Sequence, residues 1–312
     1  MKDYVILTDS ASNLPVAVRE KYGIEFIPAH YKDRSGKDLI AFTDYSESSE
    51  YPTQESFFRA LKANPEEFST STPSIPEMTE KLLSYCSQGL GVIAFAITSK
   101  MSGTYDFFCQ ARRSVLELIP DAQIYVVDAL RIGCGIALMA VKAAELRAEG
   151  KSFEETVSFI EERKQNVHQM GWLDDLSFVA RKGRITHAKA FFGTLIGIKP
   201  LGENNRDGMI TVIGKAKGEK QAFPAMVEYV KRTIEDPENS VIFISHSDRL
   251  HQAVKYRKLL QDELHPKEII LADCNPSIGI NVGPGLMCCY YYGKKVSEDL
   301  SPETKEMEKL LG

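Results

Sequence analysis

The chain has 312 residues, of which 43% are hydrophobic and 26% charged, and its formal net charge is −5. This length exceeds what most single hydrophobic cores accommodate, so we expect two domains, and the composition is that of a folded globular protein. The acidic balance argues against binding to nucleic acids or to anionic membrane surfaces, which requires a basic patch.

Targeting, membrane and metal motifs are missing from the sequence. The apolar stretch at 4–7 is too short for the core of a signal peptide, and the longest apolar runs, such as 92–97, are far below the ~20 residues that span a bilayer. We therefore expect a cytoplasmic location and no transmembrane segment. The six cysteines form no CxxC pair and the six histidines form no HExxH pair, which predicts free thiols and no metal site.

Strand and helix patterns alternate over the first half of the chain. A continuous apolar run at 91–97, flanked by polar turns, is typical of a strand that is covered on both faces. The polar stretch at 32–50 has no periodicity and predicts a surface loop. This alternation indicates a mainly parallel sheet between helices. The predicted strands are 4–8, 24–28, 91–97 and 123–127; the predicted helices are 15–23, 54–62, 74–88, 104–116, 132–148 and 152–167.

The second half has more widely spaced strands and hairpin-like pieces, which favours an α+β domain. We place the boundary near residue 165 and expect an N-terminal α/β domain over 1–165 and a C-terminal domain over 166–312. A helix-like stretch lies at 188–195. The charged C-terminal helix, which begins at 301, is expected to be a solvated appendage.

Three polar loops are candidates for a binding site: 69–74, 98–105 and 279–285. Ligands of parallel sheets bind at the carboxyl ends of the strands, so the loops after Thr8, Ile97 and Val127 are expected to contribute, and the second polar loop is one of them. Ser102 and Gly103 at a helix start would offer a hydroxyl and free backbone N–H groups to an anion. Taken singly, however, such residues are more often helix caps and turn formers.

Together with other segments, these loops resemble the DegV family of bacterial fatty-acid-binding proteins. The matching segments occur in the family's order from residue 1 to about 295. They are TDSASNL at 8–14, TSTPS at 70–74, MSGTY at 101–105, Val127-Asp128, KGRI at 182–185, IKP at 198–200 and VGPG at 282–285.

The resemblance implies a two-domain α/β fold that encloses a long-chain fatty acid between its domains. It implies that Thr70 and Ser102 meet the carboxylate, with Gly103 and Asn281 beside them. It implies no catalytic residue and no cofactor apart from the bound fatty acid. Members of this kind can hand the fatty acid to a partner kinase.

Two positions depart from the better-characterised members of the family. Asn281 replaces a histidine before the GPG motif, and Lys217 replaces an arginine after an Asp-Gly turn. Asparagine does not titrate at neutral pH, which predicts a fatty-acid affinity nearly independent of pH between about 5 and 8. Lys217, Arg184 and His246 are candidates for the mouth of the site or for contacts with a partner.

Two alternatives to a carrier stay open at this point. An enzyme for phosphoryl or acyl transfer would use Ser245-His246-Ser247-Asp248 or the basic run at 181–184, but adjacent residues do not form a Ser–His–Asp relay and no GxSxG motif is present. The other alternative is an interaction protein that acts through its surface, with Lys217 and Arg184 as the residues to test.

Overall fold

The computed structural model describes residues 4–185 and 197–312. Its first sheet has four strands, all parallel, in the order β2-β1-β6-β7. This arrangement confirms the parallel α/β sheet that the sequence predicts. The strands are β1 (Tyr4–Asp9), β2 (Ile24–Ile27), β6 (Gly91–Ala96) and β7 (Ile124–Asp128), and the helices around them are α1 (Val16–Tyr22), α3 (Ile75–Cys86), α4 (Thr104–Leu118), α5 (Cys134–Ala148) and α6 (Phe153–Arg163).

Helices cover this sheet on both faces, which is why every residue of β1 and β6 is buried. Alternate side chains of the two strands belong to different cores: Leu7 packs with α3 and α4, whereas Ile6 packs with α5. The helix starts also follow the sequence, because Ser74 caps α3 and Ser152 caps α6, each in a capping box with the glutamate three residues later.

A second, three-stranded sheet lies within the first half and is antiparallel, in the order β4-β3-β5. Its strands are β3 (Ala29–Lys32), β4 (Asp38–Ala41) and β5 (Ser69–Ser71), and the helix α2 (Gln54–Ala63) follows β4. The prediction of a plain surface loop at 32–50 is therefore wrong, because β4 lies inside it. β5 is an edge strand whose residues are exposed, and it carries Thr70.

The second half forms a six-stranded mixed sheet in the order β10-β9-β8-β13-β11-β12, in which only β11 and β12 are parallel. This part is the α+β arrangement that the sequence predicts. The strands are β8 (Val167–Trp172), β9 (Ile198–Asn204), β10 (Ile210–Lys217), β11 (Val241–His246), β12 (Glu268–Asp273) and β13 (Met287–Tyr292); the helices are α7 (Ser177–Arg181), α8 (Glu219–Thr233), α9 (Leu250–Leu264), α10 (Pro276–Val282) and α11 (Ser301–Leu311).

Helix α5 joins the two halves, because it contacts β1 of the first sheet and β8, β11 and β13 of the second. Most of its residues are buried, and they belong to a core that both halves share. Buried hydrogen bonds reinforce the junction: the Asn275 N–H donates to Asn13 Oδ1 at 3.1 Å, and the Tyr45 hydroxyl donates to the Cys274 carbonyl at 2.7 Å. The two large sheets lie on either side of residue 165, and the domain boundary there stays a prediction.

The C-terminal helix α11 is not a solvated appendage, as the sequence suggested. It packs on β10 and α8, and Met307 is fully buried against Gly214, where a Cβ atom would lie 2.5 Å from the methionine. The helix is rich in charged residues, so its sequence does not reveal that its few apolar side chains pack on the core. The helix predicted at 188–195 lies outside the described residues.

Candidate ligand-binding site

A cavity of about 250 Å³ lies where β1 and β6 end and where β5 and α10 approach from the other side. It lies at the carboxyl ends of the parallel strands, where open α/β sheets bind their ligands. All three polar loops singled out in the sequence contribute to it. Its polar lining includes Asp9, Thr70, Ser102, Arg184, Ser277 and Asn281.

Thr70 and Asn281 meet across this cavity although they are 211 residues apart in the chain. The Asn281 amide lies 3.5 Å from Thr70 Oγ1 and donates a shorter hydrogen bond of 3.0 Å to the Ser277 carbonyl one turn earlier in α10. The bond within the helix fixes the orientation of the amide. A hydroxyl and an amide donor therefore stand side by side at one end of the cavity.

Ser102 and Gly103 lie in the cavity wall at the start of α4. Ser102 Oγ accepts the Thr104 N–H at 3.3 Å and lies 2.9 Å from Thr104 Oγ1, so both hydroxyls belong to one small cluster. Gly103 is the N-cap residue of a 15-residue helix and makes no side-chain cap. This end of α4 directs the positive end of the helix dipole to the cavity.

Of the three residues proposed for the mouth or for partner contacts, the cavity lining includes only Arg184. Arg184 is half-buried, and its guanidinium donates to the Lys182 carbonyl. Lys217 is exposed at the end of β10. His246 is buried at the end of β11 with Nε2 3.3 Å from Asp273 Oδ1, and burial lowers its pKa to about 4.

The Ser245-His246-Ser247-Asp248 segment does not form a hydrolase relay in the described structure. Ser247 Oγ donates to the Gly283 carbonyl at 2.7 Å and accepts the Leu286 N–H at 2.8 Å, so this hydroxyl holds the turn at 283–285. Nδ1 of His246 has no hydrogen-bond partner among the described residues. The segment acts as a support for the GPG turn.

A second, apolar compartment of about 50 Å³ continues from the first, between the second sheet and α10. Four side chains line both compartments and therefore mark the passage between them: Ile132, Ile210, Ile278 and Val282. The other side chains of the second compartment are mostly large and apolar, and they include Trp172, Leu173, Leu176 and Leu286. A polar chamber thus opens into a narrow apolar slot.

A family model described as "uncharacterised protein, DegV family" matches residues 3–294. The chain belongs to the DegV family. A DegV domain-containing protein of Clostridium perfringens is 30% identical over 298 residues, which are 94% of this chain and 98% of that protein. The family resemblance identified from the sequence motifs is confirmed.

Solved structures of DegV proteins have the same fold. A DegV lipid-binding protein of Thermotoga maritima matches with a TM-score of 0.81 at 23% identity, covering 95% of this chain and 99% of that chain. A stearic-acid-binding protein of Eubacterium ventriosum matches with a TM-score of 0.78 at 21% identity, covering 94% and 99% of the two chains. At these identities the likeness establishes the DegV fold.

One residue of this DegV site, Asp9, was not among the predicted site residues. It ends β1, is 1% exposed and lines the polar chamber, and its Oδ1 accepts the Ala11 N–H at 3.0 Å. Burial raises the pKa of Asp9 to about 7. A carboxyl group at the carboxyl end of a buried parallel strand was the available signal, but Asp9 was recognised only as part of a family motif.

Within residues 4–185 and 197–312, no cluster of three or more His, Cys, Asp or Glu side chains has the geometry to hold a metal ion. Over the same ranges, no helix is both long and apolar enough to cross a bilayer. The two compartments are therefore the feature on which a functional proposal for this DegV protein rests.

Proposed function

We propose that this protein binds a long-chain fatty acid, with the carboxylate beside Thr70, Ser102, Gly103 and Asn281 and the acyl chain in the apolar compartment. The observation that carries the proposal is the connection of a polar chamber to an apolar slot through shared side chains. An amphiphile with one small polar head and one unbranched tail matches this division. The stearic-acid-binding protein of the same fold supports the choice of ligand class.

The two compartments would contribute unequally to the free energy of binding. Burial of ~14 methylenes at ~0.8 kcal/mol each is worth roughly 11 kcal/mol before association costs. Each hydrogen bond to a charged head contributes only ~1.5–3 kcal/mol. The slot therefore supplies most of the affinity and the polar chamber sets the orientation. At about 50 Å³ the slot is narrow, so its apolar side chains must move apart to admit a full chain.

Presentation of the acid to a partner kinase is a finer proposal, implied by the family resemblance. Its support here is Arg184, a half-buried cationic residue that lines the polar chamber. The function proposed for the chain itself is binding, with no chemical step assigned to its residues.

Native mass spectrometry of protein purified without added lipid tests the ligand class. We expect a retained mass equal to that of a fatty acid, which is released on denaturation. A protein that retains no such mass, and that also fails to bind stearate after delipidation in a direct binding assay, would overturn the proposal.

Replacement of Ser102 by alanine tests the position of the head group. The change removes one charge-assisted donor, so stearate binding should weaken by ~1–3 kcal/mol, or roughly 5-fold to 150-fold, while the melting temperature stays nearly constant. The matched control is Ser114→Ala on the same helix, because the Ser114 hydroxyl bonds the Gln110 carbonyl and is not among the residues that line the chamber. If the two variants bind stearate with equal affinity, Ser102 has no part in head-group binding and serves only to form the start of α4.

A further inference from the structure

Asp9 is a buried carboxyl group that faces the proposed head-group chamber without a cationic partner. Its exposure is 1%, and none of the ion pairs formed within residues 4–185 and 197–312 involves it. One backbone N–H, from Ala11 at 3.0 Å, is the hydrogen bond that its Oδ1 accepts. A buried carboxylate with so little compensation favours its protonated form.

The charged groups on the elements around the chamber are bonded to other groups or exposed to solvent. Arg184 donates to the Lys182 carbonyl, and His30 on β3 lies 2.9 Å from Glu77 on α3. Asp128, at the end of β7, accepts the N–H groups of Ser99 and Leu130 at 3.1 and 3.3 Å. Lys100, in the loop after β6, is exposed. The α10 residues that line the chamber, Ser277 to Val282, carry no charge.

A bound fatty acid would bring a second carboxyl group into this chamber. Two carboxylates within one enclosed polar site repel each other strongly, and such pairs hold one proton between them. The protonated partner then becomes a hydrogen-bond donor to the ionised one. We propose that Asp9 is a head-group-binding residue that shares one proton with the fatty-acid carboxyl group, an inference that rests on the proposed function.

Proton sharing has a definite consequence for the dependence of affinity on pH. Below about pH 7, where burial keeps Asp9 protonated, the carboxylate meets a ready donor and affinity should be flat. Above that pH, binding must take up about one proton, so affinity falls by up to tenfold per pH unit. Asn281 alone predicted a nearly flat profile between pH 5 and 8, and Asp9 replaces that expectation above pH 7.

The test is stearate binding to the delipidated full chain between pH 6 and 9, below the concentration at which stearate aggregates. We expect the wild-type affinity to fall at least tenfold from pH 7 to pH 9 and the Asp9→Asn affinity to vary by less than about threefold, because the amide always offers a donor. His30→Gln is the matched control, because it replaces a histidine of β3 that is not among the residues lining the chamber. It should reproduce the wild-type profile.

A measurement on the wild-type protein alone guards against a variant that fails to fold. Calorimetry at pH 8 in two buffers with different ionisation enthalpies should detect uptake of about one proton per stearate. A flat wild-type profile without proton uptake, or a slope that persists in Asp9→Asn, would overturn the role of Asp9 while leaving fatty-acid binding intact. Absence of stearate binding at every pH would instead overturn the proposed function itself.

Discussion

Glu203 and Asp9 are two of the buried carboxyl groups of this protein, and their surroundings differ completely. Glu203, on β9 of the second sheet, accepts the N–H groups of Gln169 and Asn204 at 2.8 and 2.9 Å, and its other oxygen lies 2.9 Å from Nδ1 of His168. The His168 ring is fixed in turn by Nε2, which donates to the Lys294 carbonyl at 2.8 Å. Asp9, in the first sheet, has one backbone donor and faces a cavity.

This contrast distinguishes a buried carboxyl group with a structural role, Glu203, from one that can contact a ligand, Asp9. A carboxylate surrounded by fixed donors holds strands in register, and a ligand finds nothing there to bind. A carboxyl group with little compensation costs stability, which the fold tolerates at the edge of the sheet where ligands bind. Burial alone therefore does not identify a functional acid. A functional acid is instead identified by few hydrogen-bond partners and by a cavity next to the carboxyl group.

Replacement of Glu203 by leucine should have the largest effect on stability. It leaves two buried N–H groups and His168 without their acceptor, and we expect a loss of about 3–5 kcal/mol in the free energy of unfolding, measured by urea denaturation at pH 7. Glu203→Gln keeps one acceptor oxygen and is the matched control, with a smaller loss. A loss below about 1 kcal/mol for the leucine variant would remove the structural role assigned to Glu203.

Asp9→Asn should change the free energy of unfolding by a smaller amount and should increase it. The folded pKa of about 7 lies above the value near 3.9 of an unfolded aspartate, so folded protein holds this proton more tightly and the contribution of Asp9 to stability falls as pH rises from about 4 to 7. The asparagine variant escapes this loss. At pH 8 we expect it to be more stable than delipidated wild type by on the order of 1–3 kcal/mol.

The control for Asp9→Asn is the same pair of proteins at pH 4, where the carboxyl group is protonated in the folded state and the difference should nearly vanish. Urea titrations at pH 4, 6 and 8 give the difference curve directly. A gap that does not depend on pH would mean that Asp9 is ionised in the folded protein throughout, and the comparison with Glu203 would then fail.

Gly103→Ala should have the smallest effect and sharpens the description of the chamber. A Cβ atom there would meet only the Phe107 ring, at 3.7 Å, and φ of −76° suits any residue. Because the backbone N–H is retained, stearate affinity should change by less than about twofold and stability by less than ~1 kcal/mol. Gly103→Pro fits the same φ but removes the N–H, so weaker binding in that variant alone would assign the donor to the main chain.

Local patterns sufficed to predict much of this fold. The buried runs of β1 and β6 and the serines that cap α3 and α6 depend on their own neighbours in sequence, so they can be recognised without tertiary information. The meeting of Thr70 with Asn281 was also expected, but through the family motifs, since no local rule brings together two residues so far apart in the chain.

Features that depend on tertiary packing were missed. β4 is short and mostly exposed, and it is a strand because β3 offers it a partner, which no periodicity within 32–50 reveals. Helix α11 was taken for a solvated helix because its few apolar residues, Met307, Leu310 and Leu311, stand among many charged ones. Asp9 was overlooked because its enclosure depends on β5 and α10, which come from distant parts of the sequence.

The position of α5 between the two large sheets also constrains how a ligand would enter and leave. Wide separation of the halves would expose a mostly buried helix, so passage through the edge of the chamber requires far less unfolding. Strand β5 is the element at this edge that opens most easily, since it has three residues and pairs on one side only. If the proposed function holds, we expect the residence time of the ligand to depend on local opening at Thr70, so that it can change without any change in global stability.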